Sequence, residues 1–293
     1  MRISTSMLYN GLLTGINQQQ IIQDRGNAQI ASGTRFQTPA DSGLDYKVSL
    51  DLRHSQLNIK SSIDAIGVAE GRLDFSQSLL NDMSNLMKRA EALAVQQSSA
   101  QMGALERQAS LQEMNHLSSQ FLANANQQYQ GQVLFGGTAV DVPAFSDDGL
   151  GNISYSGSNQ DRIVSVTATQ QVVSNIRGDD PAFAAAFTAM QDFKTALQNN
   201  DQIAIQASLG ALISAGGGMI DLTADAGARL KAVQISKISF EDMKFNLDQR
   251  LGAHEGVDIP SVVAELQQST IALQAAYSQI AQIKDLSLLN FIR

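Results

Sequence analysis

From about Lys47 to Gln97 the chain runs without a proline and places an apolar residue at every seventh position: Leu52, Ile59, Ile66, Leu73, Leu80, Met87 and Ala94. A second series, Leu79, Leu86 and Leu93, widens the stripe. A seven-residue period held this long is a coiled-coil pattern. At about 1.5 Å per residue it predicts a helix of about 75 Å, too long to sit inside a compact globule. Gly67 and Gly71 weaken it locally, by about 1 kcal/mol each relative to alanine.

The pattern returns near the other end. Leu212, Met219, Ala226, Val233, Phe240 and Leu247 form a second long seam, with Gly216-Gly217-Gly218 inside it, where a break or kink is expected unless packing carries a continuous helix through. A third seam, Ile259, Leu266, Leu273 and Ile280, has Val263, Thr270, Tyr277 and Lys284 as companions four residues on. Gly252 to Gly256 reads as the hinge before it. The first 35 residues carry a weaker pattern (Ile3, Met7, Leu12, Leu13, Ile16, Ile22, Ile30) interrupted by Gly11, Gly15 and Gly26. Such a helix is marginal alone and needs a partner, which the C-terminal seam supplies.

Shorter elements lie between. A helix is predicted over about Gly103–Tyr129, and another from Pro181, with Asp180 as N-cap and Phe183, Phe187, Met190, Phe193 and Leu197 at helical spacing. Asn199-Asn200-Asp201 reads as a helix end and a new N-cap. Residues 131–178 are rich in glycine, and Gln132–Phe135, Asn152–Tyr155, Arg162–Thr169 and Gln171–Ile176 are strand candidates. The expected fold is mainly α with a small β insert: a long antiparallel coiled-coil-like helical rod built by the N- and C-terminal halves, with the β unit at its tip. The expected domains are a terminal assembly domain of residues 1–42 and 253–293, a helical rod domain of 43–131 and 179–252, and a small β domain of 132–178.

Composition limits the chemistry. The 293 residues contain no Cys and no Trp and only three His, with 5% aromatic residues. Thiolate catalysis, disulfides and cysteine-ligated metal sites are excluded. The formal net charge of −8, without a basic block, argues against nucleic acid and against an anionic membrane surface. No uninterrupted apolar run of about 18 residues marks a membrane span, and the first twenty residues do not read as a cleaved signal peptide.

Candidate chemical motifs fail one by one. His254-Glu255 is half of the H-E-x-x-H zinc motif, but Asp258 stands where the second His is needed, so the pair reads as a solvated hinge. Asp147-Asp148 sits in a glycine-rich turn that explains it without a cation. Gly216-Gly217-Gly218 lacks the G-K-[ST] of a phosphate loop. No catalytic residue, no cofactor and no metal ligand is expected. The terminal seams remain, and they point to assembly with other chains.

Several segments resemble one family. Met1-Arg2-Ile3-Ser4-Thr5, then Ile30-Ala31-Ser32-Gly33-Thr34-Arg35 followed by Thr38-Pro39-Ala40-Asp41, resemble the start of flagellin-superfamily chains. Ala125-Asn126, Gly131-Gln132-Val133-Leu134-Phe135-Gly136-Gly137 and Pro143-Ala144-Phe145 resemble its hook-associated branch. Asp225-Ala226-Gly227-Ala228-Arg229-Leu230 is similar to the family's returning helix. Leu273-Gln274-Ala275-Ala276-Tyr277 and Leu286-Ser287-Leu288-Leu289-Asn290-Phe291 are similar to its C-terminal helix.

The resemblance implies a structural subunit, not an enzyme, exported through the flagellar type III apparatus to the extracellular flagellum. It implies a ring of about eleven copies, closed by rotational symmetry, with the first hook-associated protein on one side and flagellin on the other. The filament cap protein would be a transient partner, and a cytoplasmic export chaperone would cover the C-terminal seam. The assembly residues are then Ile3, Leu12, Leu13, Ile16, Ile259, Leu266, Leu273, Tyr277, Ile280, Leu286, Leu288 and Leu289. A minor filament flagellin is the alternative, and a secreted metal-binding or adhesive protein a more distant one.

Overall fold

The seams become helices. The computed structural model describes residues 5–99, 102–149, 151–165 and 171–291, the side chains of 5, 6 and 284–291 excepted. Among the described residues there are six α-helices: α1 (Thr5–Ser32), α2 (Gly43–Gln97), α3 (Ala104–Ala125), α4 (Pro181–Gln198), α5 (Gln202–Glu255) and α6 (Ile259–Phe291). Six short strands lie between α3 and α4: β1 (Gln128–Tyr129), β2 (Gln132–Val133), β3 (Phe145–Asp147), β4 (Ile153–Tyr155), β5 (Ile163–Ser165) and β6 (Gln171–Val173). The fold is mainly helical with a small β part, as the sequence indicates.

Two compact units are present. One comprises residues 1–58 and 243–293, the other Ile59–Asp242. In the second unit the seams of α2 and α5 close on each other. Ile66, Leu73, Leu80, Met87 and Ala94 on α2 and Leu212, Met219, Ala226, Val233 and Phe240 on α5 are all buried. The two helices run antiparallel: Lys237 Nζ lies 2.7 Å from Glu70 Oε2, and the hydroxyls of Thr223 and Ser84 meet at 3.5 Å.

The expected break at Gly216-Gly217-Gly218 is absent, and α5 runs through it unbroken. Close packing replaces helix propensity there. A Cβ on Gly218 would stand 3.4 Å from the Ala182 Cβ, and one on Gly216 3.8 Å from the Met87 Cβ. Both are ordinary contact distances, and a Cβ on Gly217 would meet nothing within 4 Å; the burial of Leu212, Ala215, Met219 and Leu222 around the run outweighs about 1 kcal/mol of helix propensity lost at each glycine. Helix α5 holds an 18-residue window of mean hydropathy 1.6, of which 28% is buried; Ile213 and Ile220 are about half exposed.

The caps of α4 and α5 form as expected. Asp180 Oδ1 accepts the Ala182 amide at 2.9 Å with Pro181 in the first turn, and Asp201 Oδ1 accepts the amides of Ile203 and Ala204. Helix α3 stops earlier than expected, because Asn126 turns aside to pair with Phe145. Its Nδ2 donates to the Phe145 carbonyl, and its Oδ1 accepts the Phe145 amide, both at 2.9 Å.

Among the described residues the β part is not one sheet. The strands form three separate antiparallel pairs, β1–β2, β3–β4 and β5–β6. Strands β1 and β3 were not expected. The β1–β2 hairpin turns on Gln130 and Gly131, both at positive φ (53° and 77°), the geometry of a two-residue type I′ turn. Each pair packs onto helices of the same unit. Phe145 on β3 stacks within 5.2–5.5 Å of Phe183, Phe187 and Tyr155. Val164 and Val172 of β5–β6 pack against the cluster of Ile66, Leu73, Leu230, Val233 and Phe240. Arg72 on α2 secures β2 by donating to the carbonyls of Val133 (2.6 Å) and Leu134 (3.3 Å). Burial, and then the neighbouring charge of Arg162, bring the Arg72 guanidinium down to about 10. Burial, and then Asp179, push the Tyr155 phenol up to about 12 while its hydroxyl donates to the Ser158 and Phe135 carbonyls.

Candidate assembly interface

In the first unit, α1 and α6 pack along each other in antiparallel register. Ser269 Oγ donates to the Gln19 carbonyl at 3.1 Å, and Gln23 Nε2 donates to Thr270 Oγ1 at 3.0 Å. Further along, Leu266 lies on Gly26. Higher numbers on α6 thus meet lower numbers on α1.

This pairing divides the sequence-derived interface residues into two sets. Leu273 and Ile16 are buried, and Leu266, Ile280 and Leu12 are half-buried. These line the seam within the pair. Leu13, Ile259 and Tyr277 are exposed, the last two by half or more. Ile3 lies outside the described residues, as do the side chains of Leu286, Leu288 and Leu289. The outward set also contains residues not singled out from sequence: Ile21 at 65% exposure and Ile271 at 66%. Their signal was present, since Ile271 lies off the 266–273–280 stripe and so cannot share its partner. A helix pair with apolar residues on its outer side has surface left for another protein to cover.

Where the terminal pair meets the ends of α2 and α5, the chain is held by polar contacts. The connection after α1 runs beside the one before α6. Thr34 bridges Gly256, the Arg35 amide donates to the Glu255 carbonyl at 2.7 Å, and the Val257 amide donates to the Gly33 carbonyl at 3.3 Å. Glu255 is the centre of this region. Arg53 grips its carboxylate through two nitrogens, Nε to Oε1 at 2.8 Å and Nη2 to Oε2 at 2.7 Å, and the Ser49 hydroxyl donates to Oε1. Burial alone would raise this carboxyl. The hydrogen bonds from Arg53 and Ser49, with the charges of Arg53 and His254, outweigh it and hold Glu255 below its ordinary value.

His254-Glu255 is therefore not the solvated hinge that its sequence context suggests. Glu255 is 7% exposed. His254 Nε2 is 3.0 Å from the Asp45 carbonyl, and its ring lies 5.7 Å from that of Phe36. The hinge expected over Gly252 to Gly256 lies further on, since α5 continues through Gly252 to Glu255 and residues 256–258 separate it from α6. Among the described residues no group of three or more His, Asp or Glu side chains is placed to hold a metal ion. The geometry offers packing surfaces and ion pairs.

Residues 3–140 match the family model of the bacterial flagellin N-terminal helical region. Over 98% of its length the chain is 21% identical to the flagellar hook-associated protein 3 of Escherichia coli K12, of which it covers 98%. The fold is that of solved junction-protein structures. FlgL of Bacillus cereus aligns at TM-score 0.61 and 22% identity over 69% of this chain and 99% of that one. The hook-associated protein 3 of Legionella pneumophila aligns at TM-score 0.62 and 15% identity over 69% of this chain and 97% of that one. In sequence the chain is thus similar to the flagellin N-terminal region over residues 3–140 and to flagellar hook-associated protein 3 over nearly its whole length, and its fold is like that of the solved hook-associated proteins.

Proposed function

We propose that the chain is a structural subunit of the bacterial flagellum that joins the hook to the filament. The observation that carries this reading is the α1–α6 pair, closed on itself along Ile16, Leu266 and Leu273 yet apolar on its outer side at Leu13, Ile21, Ile259, Ile271 and Tyr277. An exported subunit that must recognise copies of itself and two different neighbours needs such a surface and no catalytic group. The full-length similarity to a hook-associated protein supports the same reading.

In this account residues 1–42 and 253–293 form the assembly part, 43–131 and 179–252 the helical part, and 132–178 the β part. Copies close into a ring of about eleven, set between the first hook-associated protein and flagellin, with the filament cap protein in passing contact. The chain leaves the cell through the flagellar type III apparatus, escorted in the cytoplasm by an export chaperone, and acts outside. It is not an enzyme. The match of its first half to the flagellin N-terminal region favours one second reading, a minor filament flagellin.

Complementation of a strain lacking the protein tests the assembly role. Ile271→Asp on the outer side leaves the helix pair and export intact but releases flagellin unpolymerised into the medium. Normal swimming by a stably exported Ile271→Asp chain contradicts the reading.

A further inference from the structure

The contacts around Glu255 sit where the two terminal helices join the rest of their unit, and they are unlike the rest of that unit. The α1–α6 seam is held by apolar side chains and a few exposed hydrogen bonds, so it can fray from its ends. At Glu255 the chain instead buries a carboxylate and surrounds it with donors. Arg53 and Ser49 reach it from α2, while its own backbone carbonyl takes the Arg35 amide from the connection after α1. One residue therefore ties three segments: α2, the end of α5, and the return connection from α1.

We propose that Glu255, with Arg53 and Ser49, is an acid-released clamp: ionised, it stops the fraying of the terminal helices at the connections 33–42 and 256–258, and protonated, it lets the adjoining turns of α2 and α5 go. A buried carboxylate that loses its charge keeps one weak acceptor contact and leaves Arg53 without a partner. The charged and titratable groups around it are Arg53, Tyr46 and Asp45 on α2, His254 on α5 and Arg35 on the connection. The charge of His254 acts with that of Arg53 to hold Glu255 low. Release therefore waits for Glu255 itself.

Geometry sets the sign. Because Glu255 is held below the 4.5 of a free glutamate, its contribution is complete above that value and is lost as pH falls through the lower, folded one. Two further carboxylates in the same unit are held low, Asp41 by the amides of Gln37 and Thr38 and Asp248 by Lys244 and Gln56. Acid thus acts on this unit in particular.

Hydrogen exchange of the full chain, read by mass spectrometry and corrected for intrinsic rates, tests the clamp without reference to any flagellar role. At about pH 7 the amides of 45–58 and 243–255 are protected, and at about pH 3.5 their protection falls by up to about 10-fold, while 66–94 and 212–233 hold. Glu255→Gln shows that loss already at neutral pH, and its further response to acid is smaller than the wild type's, Asp248 supplying what remains. Arg53→Gln, at a half-exposed side chain that leaves no cavity, moves the release to higher pH, because the buried carboxylate then lacks its counter-charge. Wild-type protection in Glu255→Gln at neutral pH overturns the proposal. So does an acid response in Glu255→Gln as large as the wild type's, or a loss spread equally over both units in both variants.

Discussion

Gly26 on α1 and Leu266 on α6 meet at close quarters: a Cβ on Gly26 would lie 2.8 Å from the Leu266 Cδ2 and 3.0 Å from its Cγ, so any larger residue must displace the leucine. The glycine that weakens α1 as a helix is the one that lets α6 approach it. Gly26→Ala gains about 1 kcal/mol of helix propensity and loses a similar amount by displacing Leu266, so it is close to neutral. Gly26→Leu overpacks the seam and costs about 1–3 kcal/mol. Hydrogen exchange of α1 and α6 reads the difference. Equal protection in both variants would show that the two helices do not pack at this point.

Inward and outward residues of α6 separate by their effects. Leu273, 8% exposed, loses about 2–5 kcal/mol on truncation to alanine if its cavity does not collapse. Ile271 and Tyr277, more than half exposed, change the stability of the isolated chain by no more than about 0.5 kcal/mol on the same truncation, yet impair motility. The paired measurements are chain stability by circular dichroism and swimming of the complemented strain. A Tyr277→Ala chain as destabilised as Leu273→Ala would place both on one face.

Asp41 gives a second, separable pH response. Its Oδ2 takes the amides of Gln37 and Thr38 at 2.9 Å and the Thr38 hydroxyl at 3.1 Å, and these hold the carboxyl below 3.8, with Arg25 adding to the effect. The turn it closes is therefore intact above that value and opens as pH falls through the lower one. Asp41→Asn keeps the shape, weakens the acceptor and removes the acid response of residues 37–41. Carbon-detected NMR titration of the carboxyl reads it directly. A carboxyl that titrates above 3.8 would contradict the contacts.

The second unit stands without the first. A fragment of residues 59–242 keeps the α2–α5 seam, α3, α4 and all three strand pairs, and it melts cooperatively. Within it, Arg72→Met leaves the Val133 and Leu134 carbonyls without their donor, at about 1–3 kcal/mol each where no water replaces it. The loss appears as a lower melting temperature of the fragment. A fragment that stays unfolded would show that the terminal helices are needed for the core.

What could be seen in the sequence was what repeats. Seven-residue periods announce α2, α5 and α6 because a buried stripe must recur with the helix turn, and Asp180-Pro181 and Asp201 announce their helices because an N-cap is local chemistry. Contacts distant in sequence were not visible. Nothing near Gly216-Gly217-Gly218 reveals that Ala182 and Met87 will pack there, so the run read as a break. Nothing near His254-Glu255 reveals Arg53 and Ser49, some two hundred residues earlier, so a buried carboxylate paired with a half-exposed arginine read as solvated. Strand β3 is three residues long and is defined by its partners, Asn126 and β4. The terminal seam was legible as apolar, but which of its residues face inward depends on Gly26 and so on α1.

The central claim is a place in the flagellum. Immunogold labelling of isolated flagella with antibody against this chain tests it most directly. The account predicts label confined to a single band where hook meets filament. Label distributed along the filament, or flagella that carry none, would contradict it.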